Sequence, residues 1–128
     1  MKSKNILFDF ISKKFDLRIY VLIKSYEPIE AYICNEGFAR FCTQDYKQPT
    51  KDNMKNLFMH LTNYSLNKNS ENYKAPDEDF LSEDNGSKRL LSGLWKTLAD
   101  DGHDVATIKD KIKDTVRKAV ITLEPYLI

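Results

Sequence analysis

The sequence predicts an α+β fold, with antiparallel strands in the first half of the chain and helices in the second. Three observations carry that reading. Apolar and polar residues alternate from Phe15 onward, turn chemistry recurs at Ser25–Pro28 and Asn35–Gly37, and apolar residues fall at helical spacing after Ser87 and again after Asp104.

From Phe15 to Lys24 one side holds Phe15, Leu17, Ile19, Val21 and Ile23, and the other Asp16, Arg18, Tyr20, Leu22 and Lys24. This is the period-two pattern of a strand with one core face, and it sets Asp16 and Arg18 side by side on the more polar face. Ser25-Tyr26-Glu27-Pro28 is a turn, and Ile29 to Cys34 reads as a second strand returning beside the first. After the tight turn Asn35-Glu36-Gly37, Phe38 to Thr43 forms a third strand, with Phe38, Arg40 and Cys42 on one face and Ala39 and Phe41 on the other. The first half is therefore expected to be a meander.

Asp45 to Asn56 is polar, contains Pro49 and reads as a connecting loop ending in a short helical turn. Leu57 to Asn63 is short and apolar, as in a strand ending in polar residues. Asn67 to Gly86 is rich in Asn, Ser, Lys and acidic residues without an apolar repeat, so a long mobile loop is expected over 67–86. Ser87 is placed to cap the next helix, whose stripe is Leu90, Leu91, Leu94, Trp95 and Leu98. Asp100-Asp101-Gly102 interrupts it. From Asp104 a second helix carries Val105, Ile108, Ile112, Val116, Ala119, Val120 and Leu123 inward until Pro125.

The chain has 128 residues, with 20 Lys and Arg against 19 Asp and Glu and 41% apolar residues. That suits one soluble globular domain, able to bury roughly two thirds of its unfolded surface. The net charge of +1 argues against a general nucleic-acid binder, which needs an excess of cations. No run approaches the roughly 20 apolar residues that cross a bilayer, so no membrane partner is expected. Ile6 to Phe8 is interrupted by Asp9 and is not read as a secretory signal. Charge is nevertheless patterned, since Lys2, Lys4, Lys13, Lys14, Arg18 and Lys24 dominate the start while Asp77, Glu78, Asp79, Glu83 and Asp84 crowd a later stretch.

Cys34 and Cys42 match no zinc spacing and read as reduced structural thiols. His60 and His103 lack partners at metal-ligand spacing, so no metal ligand is assigned. Neither a G-x-x-x-x-G-K-S loop nor a G-x-G-x-x-G turn occurs, so a nucleotide would have to be held by other means. The glycosylation sequons at Asn63 and Asn85 matter only outside the cytosol and are read as chance.

Polar constellations remain at Lys14 to Arg18, at Arg40 and at His60 to Ser65. Taken singly, each has an ordinary explanation: a solvated strand face with a weak ion pair, an arginine reaching for water, turn and capping residues. Their exact strings say more. Lys-Phe-Asp-Leu-Arg-Ile-Tyr-Val-Leu at 14–22, Asn-Glu-Gly-Phe-Ala-Arg-Phe at 35–41, His-Leu-Thr-Asn-Tyr-Ser-Leu-Asn-Lys at 60–68 and Gly-Ser-Lys-Arg at 86–89, in this order, resemble the tubulin tyrosine ligase-like family over roughly residues 10–123. Tyr64-Ser65 and Gly86-Ser87-Lys88-Arg89 look most like its glutamate-adding branch.

The resemblance implies part of an ATP-grasp fold and an ATP-dependent ligase of the tubulin polyglutamylase type. ATP would activate a glutamate side chain in a tubulin tail as an acyl phosphate, and free glutamate would attack it to form an isopeptide branch. Lys14, Phe15 and Asp16 match the segment holding the adenosine part of ATP, where a carboxylate accepts from ribose hydroxyls and a lysine donates to base or phosphate. Arg18 matches a catalytic arginine able to stabilise charge on a transferred phosphoryl group. Arg40 matches the arginine that meets the incoming amino acid's carboxylate. Thr62 and Asn63 match a nucleotide-contacting pair, and Tyr64, Ser65 and Lys88 match positions lining the glutamate pocket.

Magnesium is implied too, but its ligands in this family are an acidic residue and a later Glu-x-Asn, and no such motif occurs through Ile128. The resemblance thus implies a partial catalytic domain over 1–128, magnesium ligands outside this chain, and no catalysis by this polypeptide alone. The other reading it leaves is a non-catalytic fragment or relic that binds tubulin or nucleotide. An acidic tubulin tail calls for a basic working face, which Lys14, Arg18, Arg40, Lys88 and Arg89 would provide, with the 77–84 acidic run set away from it and binding sensitive to salt. Tubulin as partner implies the cytoplasm and the microtubule cytoskeleton, including the cilium or basal body.

Overall fold

In the computed structural model, which describes residues 12–75 and 86–127, the alternation beginning at Phe15 is divided between two sheets. Strand β1 (Lys13–Arg18) ends before Ile19-Tyr20, and β2 (Val21–Tyr26) starts after them. β2 pairs with β3 (Ile29–Ile33) as a hairpin, whose turn is held by Ser25 Oγ donating to the Pro28 carbonyl at 2.7 Å. β1 pairs with β4 (Phe38–Asp45), and β4 with β5 (Lys88–Leu90), giving a three-stranded antiparallel sheet in the order β1-β4-β5.

The expected single strand over 15–24 and the meander are both corrected by this arrangement. The physical reason lies at Gly37. A Cβ on that residue would sit 2.3 Å from the Arg18 carbonyl oxygen and 2.9 Å from Leu91 Cδ1, so only glycine lets the chain fold back against the end of β1. β4 therefore starts beside β1, and β3 is left to β2.

The strand expected over Leu57–Asn63 is absent: Leu57–His60 is helical, and 61–63 form an irregular link. One turn, α1 (Leu57–His60), is closed by Leu61 N–H donating to the Leu57 carbonyl at 2.8 Å, and a second, α2 (Tyr64–Asn67), follows at once. A short apolar run carries no period long enough to tell the two apart. Asn67 is 1% exposed and so belongs to the packed structure, not to a mobile loop. Past it, turns continue, with Ser70 N–H on the Asn67 carbonyl and Tyr73 N–H on that of Ser70. Residues 76–85 of the expected loop, including Asp77, Glu78, Asp79, Glu83, Asp84 and the sequon at Asn85, lie outside the described residues, as do Lys2, Lys4 and Asp9.

Helices α3 (Leu91–Asp100) and α4 (Val105–Leu123) fall where the apolar spacing put them, separated at Gly102, whose φ of 84° suits the turn. Leu90, assigned to the helical stripe, instead ends β5. Ser87 does not cap α3, because β5 intervenes and its carbonyl accepts from Phe41 N–H at 2.8 Å. The cap is Glu36, whose Oε1 accepts from Ser92 N–H and from Gly37 N–H, each at 3.2 Å. Asp104 caps α4 as expected, accepting from Thr107 N–H at 3.1 Å and from its hydroxyl at 2.7 Å. No helix among the described residues is long and apolar enough to cross a membrane.

The core lies on one face of the three-stranded sheet. Ala39 and Phe41 from β4 meet Leu94 and Leu98 from α3, with Phe15, Leu17, Trp95, Val105 and Ile108 packed around them. The Phe15 and Phe41 rings stack at 5.2 Å. Each fully buried Leu or Phe contributes about 1.5–3 kcal/mol relative to exposure, which makes this cluster the main source of stability.

Candidate functional site

Because successive strand residues point to opposite faces, putting Phe15, Ala39 and Phe41 in the core sends Asp16 and Arg40 to the other side. The register then aligns them. Asp16 lies opposite Arg40, and Arg40 opposite Lys88, so one row of charged residues crosses all three strands. The next row holds Arg18, Phe38 and Leu90. Lys88 bridges the rows, with Nζ 4.3 Å from the centre of the Phe38 ring.

The Asp16–Arg40 contact is bidentate. Arg40 Nε donates to Oδ1 at 2.9 Å and Nη2 to Oδ2 at 2.6 Å, between side chains 39% and 26% exposed. The hydrogen bond from Arg40 holds the Asp16 carboxyl below the usual carboxylate range, with burial opposing it and the Thr62 side chain adding to it. The same bond pushes Arg40 further up. Both shifts favour the charged pair. Arg18, expected as the neighbour of Asp16, contributes only a weaker electrostatic pull, and no hydrogen bond or ion pair among the described residues engages its guanidinium.

The 60–65 segment reaches this face through α1. Lys14 Nζ donates to the His60 carbonyl at 2.7 Å, fastening β1 to the end of that turn. Thr62 is buried, and its side chain helps hold the Asp16 carboxyl low. Cys42 Sγ–H donates to the Leu61 carbonyl at 3.1 Å, and burial pushes its thiol up to about 11, so it stays protonated and unreactive at neutral pH. Cys34 is exposed, and neither cysteine is in a disulfide.

The structure thus brings together Lys14, Asp16, Arg40, Thr62 and Lys88, with Arg18 one row away. The other expected site residues stand apart. Phe15 turns its ring into the core, leaving its backbone as the part near the ionic face. Asn63 is exposed and offers its carbonyl to Asn67 Nδ2 at 3.0 Å. Tyr64 and Ser65 are exposed on α2, where Tyr64 meets the Tyr73 ring edge to face and Lys68 lies over it. Arg89, expected on the basic face, pairs with Ala39 on the opposite one and lies 4.3 Å over the Phe41 ring.

Two residues were missed by sequence reasoning. Glu36 caps a helix 56 positions downstream, and no local pattern announces that. Burial opposes its ionisation, but the Ser92 hydroxyl and the N–H groups of Gly37, Ser92 and Leu91 outweigh it and keep the carboxyl low. Asn67 sat in what read as a polar loop, and its burial is the signal that composition concealed.

Chemically, this face offers cations from four side chains, Lys14, Arg18, Arg40 and Lys88, around one carboxylate, with the neutral donor Thr62 beside it. Arg40 spends its Nε–H and one Nη2–H on Asp16 and keeps its Nη1 donors. Such a surface suits phosphate and carboxylate groups. Among the described residues no group of three His, Cys, Asp or Glu side chains converges as a metal shell requires.

Comparison with known proteins agrees with the motifs. The model of the tubulin-tyrosine ligase family matches residues 6–127. Tubulin polyglutamylase TTLL11 of Homo sapiens is 46% identical over 114 residues, 89% of this chain and 16% of that protein. Tubulin polyglutamylase ttll6 of Danio rerio is 43% identical over 89% of the chain and 14% of its own length. Tubulin monoglutamylase TTLL4 of Mus musculus is 42% identical over 89% of the chain and 9% of its length. The chain therefore spans less than a fifth of these relatives, and the span it matches contains the whole ionic face together with the elements that build it. By its match over nearly all its residues, the chain belongs to the tubulin-tyrosine ligase family.

Proposed function

We propose that this chain contributes the nucleotide- and carboxylate-binding face of an ATP-dependent ligase that adds glutamate to glutamate side chains in tubulin tails. The observation that carries the proposal is the row Asp16, Arg40, Lys88, with Lys14, Arg18 and Thr62 around it, in a chain whose relatives are named tubulin glutamylases. When bound, ATP supplies the phosphoryl group that activates the acceptor carboxylate as an acyl phosphate for attack by the amine of free glutamate. Arg18 would meet phosphate oxygens, because Arg40 is already engaged by Asp16, and Lys88, opposite Arg40 on β5, would serve the glutamate carboxylate beside it. Asp16 accepts from hydroxyl donors on its remaining lone pairs, and Arg40 offers Nη1 to the carboxylate of the incoming amino acid. The described residues provide no shell for magnesium.

The test is a thermal-shift titration of the 128-residue chain with ATP. A ligand bound only by the folded state at 100 times its dissociation constant stabilises by about 2.7 kcal/mol, which a melting curve resolves readily. The expected result is a rise in melting temperature that Asp16→Ala and Arg18→Ala each diminish and added salt weakens. A curve unmoved by ATP overturns the nucleotide assignment.

A second reading, a non-catalytic unit that binds nucleotide or tubulin, is favoured by the closure of Asp16 and Arg40 upon each other. The coding sequence beyond Ile128 separates the two: an in-frame acidic residue followed by Glu-x-Asn supports the ligase, and a reading frame without them supports the binding unit.

A further inference from the structure

We infer that Asn67 is a positioning residue: its carboxamide fixes Thr62 against Asp16 by tying the 61–63 turn to β4. The inference begins with burial, since Asn67 is 1% exposed among side chains that are otherwise apolar or hydrogen-bonded. An asparagine side chain has two N–H donors and an oxygen with two lone pairs, and here every one is used. Oδ1 accepts from Thr43 N–H at 3.2 Å and from Thr43 Oγ1–H at 2.9 Å. Nδ2 donates to the Leu61 carbonyl at 2.7 Å and to the Asn63 carbonyl at 3.0 Å.

Those two carbonyls flank Thr62 on either side. Thr43, the other anchor, lies on the strand that carries Arg40 three residues earlier. One side chain therefore connects the partner of Asp16 on β4 with the partner of Asp16 on the turn. Few substitutes fit. Aspartate has the shape but no N–H to give, and would face two carbonyl oxygens with a negative charge. Alanine would leave the buried Thr43 N–H without its acceptor and strip one donor from each carbonyl, leaving Leu61 only the weak Cys42 Sγ–H and Asn63 only the backbone N–H groups of Leu66 and Asn67. The four bonds make Asn67 the local equivalent of a rivet, and the consequence for ligand binding rests on the nucleotide reading above.

The experiment follows Asp16 directly. The carboxyl carbon of Asp16, assigned by comparison with Asp16→Asn, is titrated by NMR in the wild-type chain, in Asn67→Ala and in Leu98→Val. Leu98 lies in the apolar cluster on the opposite face of the sheet, so its variant loses stability without touching the turn. Expected is an upward move of the Asp16 titration in Asn67→Ala, as the 61–63 turn loosens from β4 and Thr62 loses its hold on the carboxyl, and none in Leu98→Val. An unmoved Asp16 in folded Asn67→Ala overturns the inference, and so does an equal move in Leu98→Val. If Asn67→Ala does not fold, Thr43→Val, which removes a single anchor, is read in its place by the same criterion.

Nucleotide affinity measured alongside keeps the two proposals separate. Asn67→Ala should weaken ATP roughly tenfold, as for one lost hydrogen bond to a charged group. A wild-type chain that ignores ATP while its Asp16 still responds to Asn67 would sink the nucleotide reading and leave this inference standing.

Discussion

The β2–β3 hairpin with α4 is richer in apolar residues than the three-stranded sheet with α3, yet it is far less buried. Among the described residues every buried side chain lies on β4, on the α1–α2 segment or on α3. β2, β3 and α4 hold none, and they leave Leu22, Tyr26, Tyr32, Ile121 and Leu123 exposed. The difference is one of registration. In the sheet, an apolar face and an ionic face are locked by the same strand pairing, so Phe41 cannot stay in the core unless Arg40 stays opposite Asp16. In the hairpin and α4 region, apolar stripes exist without a partner layer that covers them fully, so nothing there forces side chains into place.

The sharpest test of that contrast is truncation of one aliphatic side chain in each region. Leu94→Ala removes a side chain with 0% exposure and should cost about 2–5 kcal/mol in urea unfolding, because the cavity cannot collapse against a sheet held by its own hydrogen bonds. Ile121→Ala, at 56% exposure, should fall within about 0.5 kcal/mol of wild type. Comparable losses from both would mean that α4 is as firmly seated as α3 and would break the comparison.

A smaller effect is expected on the ionic face. Arg40→Ala leaves Asp16 half-buried with only the weaker pulls of Thr62 and Arg18. With screening by solvent at these exposures, the loss should be about 1 kcal/mol near neutral pH. The pH dependence fixes its origin. Since Arg40 holds the Asp16 carboxyl below its ordinary value, the pair's contribution is present above the unfolded-state value of about 3.9 and is lost as pH falls through the lower folded one. The wild type and Arg40→Ala should therefore converge in stability in acid. A constant gap from neutral pH into acid would mean that lost packing, not charge, explains the difference.

Glu36→Ala should cost a similar or slightly smaller amount, about 0.5–1 kcal/mol, as a helix cap does. Hydrogen exchange should place the damage at the first turn of α3, where Ser92 loses its acceptor. Exchange unchanged at Leu91 to Leu94 would assign the cap elsewhere.

How much of this was legible in the sequence depends on how far each residue's partner lies along the chain. The alternating faces of Phe38 to Phe41 and the helical stripes of α3 and α4 were readable because their logic is local and periodic. The gathering of Lys14, Asp16 and Arg40 was anticipated only as separate motif matches, and their contact needed the β1–β4 register, which Gly37 decides through an approach to Arg18 that no pattern encodes. Leu57 to Asn63 misled because four apolar residues fit either period. Asn67 and Glu36 escaped for the same reason as each other: a polar residue in a polar stretch reads as solvated unless its distant partners, Thr43 and Ser92, are known.

The smallest effect expected belongs to Asp104, and it bears on the loosely packed region from the other side. Asp104→Ala removes the acceptor for both the N–H and the hydroxyl of Thr107 and so leaves the first turn of α4 uncapped. The Thr107 hydroxyl, followed by its N–H, also holds the Asp104 carboxyl below the usual range, so the cap weakens as pH falls through that folded value. If α4 is held mainly by its own turns and not by burial, the damage stays local. Amides at Ala106 to Ile108 should exchange faster and helical ellipticity should drop slightly, while the urea midpoint scarcely moves. A fall in the midpoint approaching that of Leu94→Ala would show that α4 and the core unfold as one unit, in which case its half-buried stripe is as much a part of the cooperative structure as the sheet.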